Sequence, residues 1–163
     1  MLKRIKKQIR HYQTKFSFGS SAAIITNLGL IIGLDSGTNA KFNIIAAIMV
    51  IALADNISDS FGIHVYQESE QLERKEVWIS TATNFLARLL VSLIFVALVF
   101  FLPIQLATIL SLVWGLSLLA FISYIIAKEE ESRPFQAVLV HLGIALMVIV
   151  LSEIVGKLLT RGL

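Results

Sequence analysis

Apolar and polar positions in this chain segregate into long blocks rather than alternating. Five stretches almost free of charge cover about residues 18–34, 42–66, 78–102, 104–127 and 134–159, with short polar segments between them. A helix that crosses hydrocarbon needs about 20 mostly apolar residues, so the pattern predicts five transmembrane helices. The first is short and rich in Gly, Ser and Ala. Asp35-Ser-Gly-Thr-Asn39 predicts a turn after it, because Gly37 and Asn39 tolerate positive φ. Pro103 is expected to end the third helix, and Pro134 suits the first turn of the fifth. Trp78 and Tyr124 fall where interfacial aromatics belong. The predicted fold class is an all-α integral membrane protein, with a basic arm over 1–17 and a membrane domain over 18–163. An odd number of spans excludes a simple pair of equal repeats.

Composition agrees. The 163 residues are 56% hydrophobic and 15% charged, with a mean hydropathy of +0.81; soluble chains carry about a quarter charged residues. From Ala22 onward the charges gather mainly in two runs, Glu68–Glu76 and Lys128–Arg133. There are no cysteines, which excludes disulfides, thiolate metal sites and cysteine nucleophiles. The net charge of +3 is placed for a membrane surface rather than nucleic acid: Lys3, Arg4, Lys6, Lys7, Arg10 and Lys15 all precede the first span. No small-residue cleavage site follows a short apolar core, so the arm is expected to be retained. With a cytoplasmic N-terminus, Arg74, Lys75, Lys128 and Arg133 join that arm, and only Lys41, Lys157 and Arg161 fall on the other side. The positive-inside rule therefore places the N-terminus in the cytoplasm and the C-terminus outside. The expected location is the plasma membrane in a prokaryote or an organelle membrane in a eukaryote.

Ionisable groups at membrane depth are costly and tend to mark function. The second span supplies Ala54-Asp55-Asn56-Ile57-Ser58-Asp59-Ser60-Phe61-Gly62. Asp55 and Asp59 are one helical turn apart on one face, with Ser58 and Gly62 beside them. Carboxylates this close repel in low dielectric, and a proton or a cation relieves the repulsion. Oxygen donors of this kind suit Mn2+, Fe2+ or Mg2+. The competing reading pairs both acids with Arg88 of the third span, as an internal salt bridge or an ion-pair gate. Thr26 and Asn27 could add oxygen ligands or simply join helices. His64 could ligate metal, relay protons or sit at the interface. Glu70, Glu73 and Glu76 form either a cation-gathering entrance or a solvated connector. His141 and Glu153 lie too far apart along the fifth helix to share a site, and Glu153 with Lys157 reads as an i,i+4 pair. Gly29-x-x-x-Gly33 suggests self-association through the first helix. No phosphate-binding loop, zinc-spaced histidine pair or nucleophile elbow is present, so neither an enzyme nor a bound cofactor is expected.

Gly19–Gly33 resembles the first helix of the vacuolar iron transporter family, G-x-x-D-G-(apolar)2-T-x3-L-x2-G. Ala52-Leu-Ala-Asp-Asn-Ile-Ser58-Asp-Ser-Phe-Gly62, with Ser69-Glu70, is similar to its second helix. Gly143-Ile-Ala145 and Ile154-Val-Gly156 resemble its last. The resemblance implies a homodimer that exchanges Fe2+ or Mn2+ for protons and moves metal out of the cytoplasm, along a path between protomers lined by helices one and two. This chain departs from the pattern. The family's helix-one Asp and following Gly fall on Ala22 and Ala23; its helix-two Met, Glu and Tyr fall on Asp59, Ile63 and His64. The family's cytoplasmic metal-binding helices are missing, leaving Glu70, Glu73 and Glu76 as a trace. If transport persists, the site moves to Asp55 and Asp59 and favours harder ions. The alternative is a non-transporting scaffold or accessory protein that retains the fold.

Overall fold

The computed structural model describes residues 19–36 and 41–161. The basic arm, Phe18, Gly37 and Asn39 lie outside the described residues. Five helices follow in order: α1 (Gly19–Ser36), α2 (Lys41–Ser69), α3 (Arg74–Phe101), α4 (Ile104–Glu129) and α5 (Pro134–Arg161). All five are long and apolar enough to cross a bilayer, and the described residues contain no strand. The chain is a multi-pass integral membrane protein. A backbone that closes every hydrogen bond within its own helix is what hydrocarbon demands.

Helix ends fall close to the sequence expectations, with two informative differences. α2 and α3 run about a turn past their apolar blocks, because Gln, Glu, Arg and Lys propagate a helix into water. Asp35, expected in a turn, belongs to the last turn of α1; its carboxylate accepts a hydrogen bond from the Thr108 hydroxyl of α4 at 3.1 Å. Pro103 does separate α3 from α4, and α5 does begin at Pro134.

The α2–α3 and α4–α5 connectors stop their helices in the same way. Gln71 N–H returns to the Glu68 carbonyl and Leu72 N–H to Gln67; Glu131 N–H returns to Lys128 and Ser132 N–H to Ala127. Each is a Schellman closure with a left-handed residue that is not glycine, Gln71 and Glu131, both at φ 56°. An L side chain in that conformation costs about 1–2 kcal/mol. Glycine at Glu131 is therefore expected to raise stability by about 0.5–1 kcal/mol once its own unfolded-state entropy is counted. Thermal unfolding in detergent checks this, and an unchanged or lower midpoint contradicts it.

α1 is the least apolar span but the most enclosed: 44% of its apolar window is buried, against 11% for α5. A helix surrounded by other helices needs small residues for close approach more than it needs hydrocarbon solubility. α1 meets α3 where Gly19 packs against Asn84 and Arg88, α4 where Leu28 meets Gly115, and α5 where Gly29 and Gly33 meet Ser152. The glycine face read as a self-association motif is thus covered by α5 of the same chain. The apolar core gathers Ile24, Leu28 and Ile31 of α1 with Ile44, Ile48, Phe95, Val99, Ala107 and Ile149.

Candidate functional site in the α2–α3 hairpin

α2 and α3 run antiparallel and share a polar seam. On α2 the buried polar residues are Asn56, Ser60, His64 and Gln67; on α3 they are Ser80, Asn84, Arg88 and Ser92. These are i+3 and i+4 steps, so each set forms one stripe. A polar stripe between two apolar helices inverts the soluble pattern: lipid takes the greasy faces, and the polar faces find each other. Gln67 Nε2 donates to Ser80 Oγ at 2.8 Å, and Asn84 Nδ2 to Ser60 Oγ at 3.0 Å.

At the deep end of the seam lies Arg88, the largest fully buried side chain in the protein's described part. Its Nε donates to Asn56 Oδ1 at 2.7 Å and its Nη2 to Asp55 Oδ2 at 2.6 Å. Nη1 lies 2.7 Å from Asp59 Oδ2, an ion contact out of line with an N–H. The guanidinium is only 2% exposed, whereas the Asp55 and Asp59 side chains are 42% and 48% exposed on the flank of α2. One buried cation therefore holds two carboxylates that open away from the bundle. Formal charges sum to −1 when both acids are ionised.

His64 stands nearer the connector and is buried. The Thr81 hydroxyl donates to the Val77 carbonyl at 2.9 Å, and His64 Nδ1 lies 3.0 Å from Thr81 Oγ1. His64 Nε2 lies 3.3 Å from Glu68 Oε1, and Trp78 meets the ring edge-on. His141 repeats the arrangement between α5 and α4, with Nδ1 2.8 Å from Ser123 Oγ, whose proton goes to the Leu119 carbonyl.

The other sequence candidates disperse. Asn27 Nδ2 donates to Ser92 Oγ at 2.9 Å and joins α1 to α3, which is the helix-joining role. Thr26 is half-buried on α1 and Ser58 is exposed on α2. By helix periodicity Ser58 shares the flank of Asp55 and Asp59. Glu70, Glu73 and Glu76 are exposed around the connector. Glu153 and Lys157 do form their i,i+4 pair. Among the described residues no group of three His, Asp or Glu side chains is placed to hold a metal ion. Sequence reasoning missed Asn56, Ser60, Asn84, Gln67, Ser80, Thr81 and Ser92. The signal was there in their spacing, read as two stripes rather than residue by residue.

No family model, curated protein or solved structure matches the chain.

Proposed function

We propose that this protein is a proton-coupled transporter of a divalent cation, Fe2+- or Mn2+-like, moving it out of the cytoplasm with the N-terminus on the cytoplasmic side. The observation that carries the reading is the fully buried Arg88 guanidinium between two half-exposed carboxylates on apolar spans. In the cation-free state Arg88 offsets one of the two carboxylate charges. A divalent ion that displaces the guanidinium would take Asp55, Asp59 and Ser58 as oxygen ligands, with proton exchange balancing the charge. Coupling then follows from charge balance, because a bare carboxylate pair is too costly at that depth. The short motifs that resemble those of the vacuolar iron transporters motivate this reading.

The decisive measurement is divalent cation flux into proteoliposomes under an imposed pH gradient. Asp59→Asn leaves Arg88 paired with Asp55 and is expected to fold while losing flux at least tenfold. Undiminished flux in the Asp55→Asn, Asp59→Asn double variant overturns this site. A second reading, a non-transporting scaffold, is favoured by the engagement of Arg88 with Asn56, Asp55 and Asp59 at once. It predicts no flux of any divalent ion in the well-folded wild type.

A further inference from the structure

The polar seam is continuous on one side of Arg88 and stops within a turn on the other. From the α2–α3 connector inward it runs through Gln67–Ser80, His64–Thr81 and Ser60–Asn84 to the Arg88 cluster. From Glu68 to Asn56 this is about 18 Å along the helix axis. Beyond Arg88 the Asn27–Ser92 bond closes it. Further on, Ile44 and Ile48 of α2 and Phe95 and Val99 of α3 are completely buried.

Two amide oxygens along this seam, Gln67 Oε1 and Asn84 Oδ1, are buried and accept no hydrogen bond from protein. Their residues are 8% and 1% exposed, and in each case the amide nitrogen is already engaged by the facing helix. An amide oxygen buried without a donor gives up its hydration with nothing in return, and buried water is the usual remedy where several polar groups converge. We infer that the α2–α3 seam is a hydrated, one-sided access path, carrying water from the connector face to the Arg88–Asp55–Asp59 cluster and sealed by apolar packing toward the opposite face. It gives an aqueous ion or proton one entrance to the cluster. It rests on the proposed transport role only for its use, since hydration and flux are read separately.

The absence of native cysteine makes the test direct. Single variants Ser60→Cys, Ser80→Cys, Ile48→Cys and Val99→Cys, with Glu70→Cys as an exposed reference, are reconstituted in sealed proteoliposomes. Each is treated from either face with a small, membrane-impermeant cationic methanethiosulfonate. Ser60→Cys and Ser80→Cys should react at least tenfold faster than Ile48→Cys and Val99→Cys, and from the face that labels Glu70→Cys. Thr81→Cys replaces Ser80→Cys if the latter does not fold. Adding Asn84→Leu should slow labelling at Ser60→Cys and leave Ser80→Cys unchanged. Labelling of Glu70→Cys with Ser60→Cys and the outer seam thiols inert, or labelling of Ser60→Cys from the opposite face, overturns the inference. Either result can occur with flux intact, so failure of the path and failure of transport are distinguishable.

Discussion

Arg88→Met is expected to be the most damaging single substitution in the protein. It removes one cation and leaves two carboxylates and the Asn56 carbonyl without their donor. Removing one member of a fully buried ion pair costs about 3–5 kcal/mol; the half-exposure of both acids lowers that here, to what is still a sizeable part of the roughly 5–15 kcal/mol by which folded domains are typically stable. The variant should aggregate on size-exclusion chromatography in detergent, or unfold well below the wild type. Combining it with Asp55→Asn and Asp59→Asn should restore a monodisperse protein, because the charge mismatch is then gone. Arg88→Lys should recover only part of the stability, since one ammonium cannot present the planar fork that reaches three partners. Wild-type stability in Arg88→Met alone would show that the guanidinium is not what holds the hairpin. By the same charge count Asp59→Asn is expected to be mild, since one cation and one anion remain.

Second in size is Gly156→Ala. A Cβ at Gly156 would sit 2.1 Å from the Gly33 carbonyl oxygen and 3.0 Å from its carbon. Both neighbours are backbone, so no rotamer change relieves the overlap, and α5 must move off α1. Overpacking of this kind costs about 1–3 kcal/mol, and Gly156→Leu should cost more. The series has internal controls. Gly33→Ala meets Ser152 O at 3.1 Å and should be milder, while Gly62→Ala and Gly143→Ala meet nothing within 4 Å. The last two replace an unhindered helical glycine and are expected to gain about 0.5–1 kcal/mol. Thermal midpoints in one detergent rank all four, and an unchanged Gly156→Ala would mean that α1 and α5 do not pack this closely.

How much of the site was legible divides along the same line as these two predictions. The carboxylates and Arg88 stand out in sequence, because charge inside an apolar block is rare enough to notice. The choice between a cation site and an internal ion pair could not be made there. It depends on where Arg88 projects, and the structure puts it between both acids. Gly29 and Gly33 show the converse. Their spacing correctly announces a close helix contact, but the motif is the same whether the partner is another copy or α5. The neutral residues of the seam were hidden for a simpler reason. A single Ser or Asn in a transmembrane helix is ordinary, and its weight comes from the residue opposite.

By itself the sequence determined the number of spans, their limits to within about a turn, the proline breaks and the placement of charge. Each of these follows from the exclusion of unpaired backbone and charge from hydrocarbon, a constraint that acts on one helix at a time. Only the tertiary structure decided that α1 is the enclosed helix, that its glycines serve α5, and that the buried polar residues of α2 and α3 meet in register around Arg88. Those outcomes depend on how helix faces are paired. In lipid one apolar face is nearly as good as another, so the pairing is settled by backbone proximity and by the few polar groups that must find partners.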